Sequence, residues 1–201
     1  MKTVVIIPGG YHPFHQGHLA LYNQAKKRYP GADVYLAATD VQTERPFPFR
    51  VKQSLAKLAG IPNSEFVQVK SPFAPREILS KYNPDDTVVV FVRSDKDRDQ
   101  SPKPGYTKKD GSPGYLQPAG KDMKTMSQFA YMDYVPTVTF GADMTSATQI
   151  RQGWPDMNDQ QRRELVATLY PKISNNNALL DKTIDLLSSV LGESVNEATL
   201  I

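Results

Sequence analysis

Three histidines, His12, His15 and His18, are the only ones in the chain, and all fall in one stretch, Pro8-Gly9-Gly10-Tyr11-His12-Pro13-Phe14-His15-Gln16-Gly17-His18. Imidazoles are hydrogen-bond donors that can carry charge near neutral pH. Glycines let a backbone approach an anion closely. An apolar run, Thr3-Val4-Val5-Ile6-Ile7, precedes the stretch, and a helix-forming segment from Leu19 to Lys27 follows it. A buried strand, a glycine-rich turn and a helix start together make a phosphate cradle, because the first helical turn carries N–H groups without helical partners. Gly9, Gly10 and Tyr11 would supply backbone donors, and Gly17 a close approach. The implied chemistry is anion binding by a loop that holds imidazoles. A zinc site made of the three histidines is disfavoured by the glycine-loop spacing and by the missing acidic neighbours.

A second constellation lies far along the chain, Gly141-Ala142-Asp143-Met144-Thr145-Ser146-Ala147-Thr148-Gln149-Ile150-Arg151. Its hydroxyls should cap and open a helix. Taken singly, Ser146 and Thr148 read as ordinary caps and Arg151 as a surface arginine. Taken together, they could present hydroxyls and a fixed charge to a phosphate.

These residues need a scaffold, and the apolar pattern supplies one. Lys2–Ile7, Asp33–Thr39, Glu65–Val69 and Thr87–Val92 read as buried strands, with Val135–Phe140 as the last. Helices are expected to Arg28, over Phe47–Ala59 with proline in the first turn, and over Pro75–Lys81. Alternation at this spacing implies a parallel sheet, with ligands at the carboxyl ends of its strands. Two amphipathic helices close the chain, Asp159–Tyr170 and Asn177–Leu191. Leu165, Val166 and Leu169 would line the inner face of one; Leu179, Leu180, Ile184, Leu187 and Val190 that of the other. From Ser94 to Lys124 the pattern lapses into Pro, Gly, Lys and Asp, which reads as a substrate-side flap leaving the Thr87–Val92 strand, or as a solvated excursion.

The 201 residues suit one domain of ordinary size. The net charge of +3 is too small, and the basic residues too scattered, to argue for nucleic acid. The absence of cysteine excludes disulfides and thiolate chemistry. No apolar run is as long as a membrane span, and the first residues pass into a strand without a signal peptide, so a cytoplasmic protein is expected.

The pattern Gly9-x-Tyr11-x-Pro13-x-His15-x-Gly17-His18 after the first strand resembles the HxGH nucleotidyltransferases. Ser146-Ala147-Thr148-Gln149-Ile150-Arg151 is similar to that family's second motif, Ser-Ser-Thr-x-Ile-Arg, and Arg45-Pro46-Phe47-Pro48-Phe49-Arg50-Val51-Lys52 resembles its Pro-Phe-rich helix start. The family includes nicotinamide-mononucleotide and pantetheine-phosphate adenylyltransferases and the glycerol-phosphate and choline-phosphate cytidylyltransferases. The insert and the Thr145–Thr148 block resemble phage-encoded members. The likeness runs from Lys2 to about Gly153.

The resemblance implies an α/β, Rossmann-like parallel sheet flanked by helices, with a C-terminal helical appendage. One nucleotidyltransferase domain would span 1–201, with a core of 1–153, an insert at 94–124 and C-terminal helices at 154–201. His15 and His18 would hold the α and β phosphates, while Ser146, Thr148 and Arg151 would take the β and γ phosphates. His12 would shape the loop or face the second substrate. From the residues themselves, Arg45 and Lys52 could reach phosphate from the side of the second strand, Lys52 reading equally as a helix-surface lysine; by resemblance Asp95 would lie near the acceptor, while Lys96, Asp97, Arg98 and Asp99 give its segment the look of a solvated charge run. Tyr106, Tyr115 or Trp154 could stack on a base or pyridine ring, or only anchor their loops. Gly10 and Ala147 depart from the family pattern without deleting a residue that the chemistry requires. The implied reaction moves a nucleoside monophosphate from ATP or CTP to a phosphorylated small molecule, with Mg2+ carried by the triphosphate. Adenylyl transfer to a nicotinamide-mononucleotide-type acceptor comes first, and cytidylyl transfer to a polyol or choline phosphate second. A catalytically silent nucleotide-binding or virion-associated module is the alternative of another class. Assembly into a homo-oligomer is left open.

Overall fold

The computed structural model describes residues 1–43, 46–139 and 146–192. Its strands are β1 (Lys2–Gly9), β2 (Asp33–Ala38), β3 (Phe66–Gln68), β4 (Thr87–Ser94), β5 (Leu116–Pro118) and β6 (Ala130–Val135). Its helices are α1 (Gln16–Arg28), α2 (Phe49–Leu58), α3 (Arg76–Leu79), α4 (Ala147–Gly153), α5 (Asp159–Leu169) and α6 (Asn177–Leu191). Two compact units are distinguished. The first comprises Met1–Gly10, Leu19–Asp40 and Asn63–Val138; the second comprises Tyr11–His18, Val41–Pro62 and Thr139–Ile201.

The first unit holds a six-stranded sheet in the order β3-β2-β1-β4-β6-β5. Every pairing in it is parallel. The sequence explains the arrangement, since strands buried on both faces read as continuous β-branched runs rather than alternating ones. Val4 to Ile7 are fully buried, and β4 is buried along its whole length. Val4, Ile6, Ala37, Val89, Phe91 and Met132 build one core cluster, with Ile78 of α3 packed among them. The expected Rossmann-like α/β class is what the structure has.

Polar ties fix the strand ends. The Asp33 carboxylate accepts from the Tyr82 hydroxyl at 2.7 Å and pairs with Lys2 Nζ at 2.9 Å. Tyr29 and Arg28, at the end of α1, both reach the Asp133 carboxylate of β6 at 2.7 Å. Helix α1 has no acidic residue in its first turn, while Lys26, Lys27 and Arg28 fill its last turn. Cations there suit the negative end of the helix dipole and leave the positive end for an anion.

Two expectations about this unit need correction. The last strand is Ala130–Val135, not Val135–Phe140. It ends where Pro136 has no N–H to give a ladder. Its register against β4 pairs Val90 with Tyr131 and Ser94 with Val135. The insert, moreover, is structured. Gly105 N–H donates to Leu116 O and Gly114 N–H to Tyr106 O, with Thr107 bridging Pro113, so residues 105–116 form a hairpin. Its second arm runs into the amino end of β5, which adds a parallel edge strand to β6. The Tyr115 hydroxyl donates to Met126 O, and Met126 N–H donates to Thr87 O, the first residue of β4. This part of the insert therefore lies at the amino end of the strands, opposite to a substrate-side flap.

The second unit is built from α2, α4, α5 and α6. Helix α2 begins after Pro48, which is its N-cap and not a first-turn residue. It ends in a Schellman turn: Gly60 N–H donates to Lys57 O and Ile61 N–H to Ala56 O, with Gly60 at φ +100°. Helix α5 opens with a capping box between Asn158 and Gln161. It buries Leu165, Val166 and Leu169 as its periodicity requires. Helix α6 has its expected bounds but buries Leu180, Thr183 and Leu187, leaving Leu179, Ile184 and Val190 only half-buried.

Candidate functional site

The histidine loop lies in the second unit, as do α4 and α5. Its first residue, Tyr11, adopts a left-handed backbone at φ 51°, a conformation that costs a non-glycine residue about 1 kcal/mol or more. The side chain offsets this by burial. Tyr11 is 1% exposed, and its ring stacks 5.9 Å from that of Phe14 and meets His18 edge-on at 4.7 Å. Burial also pushes its phenol up, so it stays protonated. Tyr11 is thus a hydrophobic peg for the loop, beyond the backbone donor expected of it.

His15 and His18 are stacked, with ring centroids 3.7 Å apart and planes 21° from parallel. Their hydrogen bonds interlock. Gly17 N–H donates to His15 Nδ1 at 3.0 Å, and His15 N–H donates to His18 Nδ1 at 3.2 Å. A ring nitrogen that accepts cannot carry a proton, so each neutral imidazole carries its proton on Nε2. The loop backbone therefore sets the tautomer of both rings and makes both Nε2 atoms donors. This geometry corrects one expectation: the first-turn N–H groups of Gly17 and His18 are engaged locally, the latter donating to His15 O at 3.0 Å. His15 is buried, at 3% exposure, and His18 half-buried, so His18 presents the more accessible edge.

Arg151 of α4 meets this loop. Its Nη1 donates to His12 O at 2.8 Å and lies 3.3 Å from His12 Nε2, while Nη2 donates to Thr148 Oγ1 at 3.2 Å. The two sequence constellations, separated by more than a hundred residues, thus converge within one unit. His12 is here a partner of Arg151 through both its carbonyl and its ring. Ser146 is the N-cap of α4, its hydroxyl accepting from Gln149 N–H at 3.4 Å.

A family model for cytidylyltransferase-like proteins matches residues 6–153 of the chain, from β1 through α4. The chain belongs to the cytidylyltransferase-like family. It is a nucleotidyltransferase. No curated protein matches its sequence. Among solved structures, it resembles a Plasmodium falciparum nicotinic acid mononucleotide adenylyltransferase complexed with NaAD, at 11% identity and a TM-score of 0.50, over 90% of this chain and 98% of that one. A Francisella tularensis bifunctional NMN adenylyltransferase/ADP-ribose pyrophosphatase, complexed with AMP and a manganese ion, is 16% identical with a TM-score of 0.48. The match covers 94% of this chain and 52% of that one. A Vibrio parahaemolyticus protein assigned as a nicotinate-nucleotide adenylyltransferase is 13% identical with a TM-score of 0.49, over 90% and 99% of the two chains. At these identities the likeness is one of fold.

The other residues expected at the site of this cytidylyltransferase-like chain fall in both units. Gly9 ends β1, paired with Ala38, and Gly9 and Gly10 belong to the first unit. Asp95 follows the carboxyl end of β4, also in the first unit, where Arg98 holds its carboxylate at 2.7 Å. Lys52 is fully buried on α2, so it is not a helix-surface lysine. Arg45 lies outside the described residues. Trp154 is fully buried, Tyr106 lies over Gly114 of its own hairpin, and Tyr115 is tied to Met126. Among the described residues no group of three or more His, Asp or Glu is placed to hold a metal ion. No described helix is long and apolar enough to cross a membrane.

One residue of the loop's surroundings was not legible in the sequence. Tyr170, at the end of α5, donates from its hydroxyl to Phe14 O at 2.5 Å. The only signal was an aromatic in the apolar stripe Leu165, Val166, Leu169, which reads as core.

Proposed function

We propose that the protein transfers an adenylyl group from ATP to a phosphorylated small metabolite of the nicotinate- or nicotinamide-mononucleotide type, releasing pyrophosphate. The observation that carries this reading is the tautomer lock in the histidine loop, which makes the Nε2 atoms of His15 and His18 donors. Attack of an acceptor phosphate oxygen on the α-phosphorus forms one P–O bond and breaks the bond to the β-phosphate bridge. Charge grows on the α-phosphate oxygens and on the leaving pyrophosphate, and no proton need move. Positioned donors are what such a step requires. His18 would contact the developing charge, His15 would stack behind it and share the load, and α1 would direct its positive end at the same anion. Arg151 would hold the loop through His12 while adding positive charge. Magnesium would enter with the triphosphate, as part of the substrate.

The adenylyl choice follows the activities named for the neighbouring folds, and cytidylyl transfer to a polyol or choline phosphate is the next outcome to test. The experiment presents ATP and CTP separately, each with magnesium and a panel of acceptor phosphates, and follows pyrophosphate. Turnover with ATP and a mononucleotide acceptor is expected. Turnover with CTP alone would replace the adenylyl reading. A triphosphate-dependent rise in melting temperature without turnover on any acceptor would identify a silent binding module.

A further inference from the structure

We propose that Tyr170 is a positioning residue for the catalytic loop, so that the C-terminal helices, which lie beyond the matched residues 6–153, take part in the reaction through it. This rests on the reading of His15 and His18 as the phosphate donors. Tyr170 is fully buried, and its hydroxyl donates to Phe14 O. Phe14 O belongs to the peptide whose N–H is that of His15, the group that donates to His18 Nδ1. Tyr170 thus holds one side of the peptide plane whose other side sets the tautomer of His18. Arg151 holds the loop two residues earlier, through His12 O. The two grips flank Pro13 and come from opposite ends of the segment α4–α5.

The surroundings support a fixed hydroxyl. Burial pushes the Tyr170 phenol upward, so it remains a donor across the working pH range. Its backbone is anchored as well: Tyr170 N–H donates to Val166 O, and Ile173 N–H donates to Tyr170 O. The residue stands at the end of α5, where Pro171 stops the helix. Below it, Arg162 is buried against the Trp154 ring and donates to Trp154 O, tying α5 to the turn after α4. A phenol on so constrained a base can set a peptide plane, whereas a residue serving the core alone needs only its ring.

The test is Tyr170→Phe, which keeps the ring and removes the hydroxyl, alongside Leu187→Ala, which removes fully buried carbons from α6. Two readouts are used: steady-state turnover, and the 15N spectrum of the histidine rings, which reports the tautomer without any substrate. Tyr170→Phe should lower kcat roughly tenfold or more, with KM for the triphosphate changed less than about threefold, the pattern of a misaligned transition-state donor. It should also shift the His18 ring signals away from a pure Nε2–H tautomer. Leu187→Ala should lower the melting temperature and leave ring signals and kcat as they are. Unchanged ring signals in Tyr170→Phe would overturn the proposal, even if the wild type turned over none of the substrates tried. A wild type that is inactive while Tyr170→Phe still shifts the ring signals would instead sink the reading of the site and leave the clamp standing.

Discussion

His18 can be divided into its two nitrogens by substitution. Asparagine places its amide oxygen near the position of Nδ1, whereas glutamine places its amide nitrogen near that of Nε2. In the structure Nδ1 accepts the His15 N–H at 3.2 Å in a half-buried setting. Such a bond contributes about 0.5–1.5 kcal/mol, and this one is long, so the lower half of that range applies. His18→Asn keeps the loop bond, loses the stacking on His15 and loses the outward donor. It should lose no more than ~1 kcal/mol of stability, yet lower kcat by about 10²–10³, the effect of deleting one donor to a developing oxyanion. His18→Gln should show the reverse bias, with a measurable loss of stability and a rate above that of the asparagine variant. The assay is pyrophosphate release at saturating triphosphate, with melting curves on the same preparations. An asparagine variant as fast as wild type, or a glutamine variant slower than the asparagine one, would refute the assignment of Nε2 as the working donor.

Three further outcomes follow from other contacts. Arg151→Lys keeps the charge but loses the fork that spans His12 O and Thr148 Oγ1, so it should lose about 1–2 kcal/mol and lower kcat without restoring either when salt is reduced. Trp154 is the sole tryptophan, fully buried, and its Nε1 has no hydrogen-bond partner among the described residues. Trp154→Ala should therefore lose about 3–5 kcal/mol through the cavity it leaves, while Trp154→Phe, which gives up no hydrogen bond, should lose clearly less in denaturant titrations. Asp33 is held below the usual carboxylate range, first by the Tyr82 hydroxyl and then by Lys2. A depressed folded-state value stabilises above the unfolded one and ceases to as pH falls through it. Asp33→Asn should thus lower the melting temperature near neutral pH and make no difference once wild-type Asp33 is protonated.

Much of the fold was written in local pattern. Runs such as Val4–Ile7 and Val88–Val92 can bury both faces only inside a parallel sheet, and the helix stops at Pro30 and Gly60 carry their own chemistry. Local pattern points to Val135–Phe140 as the last strand because Tyr131, Met132 and Tyr134 alternate with polar neighbours less clearly, whereas pairing with β4, a tertiary fact, decides for Ala130–Val135. The insert looked structureless because a hairpin of Gly, Pro and Lys is held by backbone bonds, which composition does not reveal. At the candidate site, residue types and spacing single out His15, His18 and Arg151, and the structure brings His15 against His18 and Arg151 onto the same loop. What they did not reveal was the wiring. That Gly17 locks His15, that His15 locks His18 and that Tyr170 holds Phe14 depends on hydrogen bonds whose donors are mostly backbone.

The most direct measurement follows both ends of the triphosphate at once. ATP labelled at the α-phosphate and ATP labelled at the γ-phosphate are incubated in parallel with magnesium and a mononucleotide acceptor. Nucleotidyl transfer predicts the α label in a new dinucleotide and the γ label in pyrophosphate, in equal amounts, with both signals falling together in His18→Asn. Release of the γ label as inorganic phosphate, or an α label that never reaches any acceptor, would contradict it.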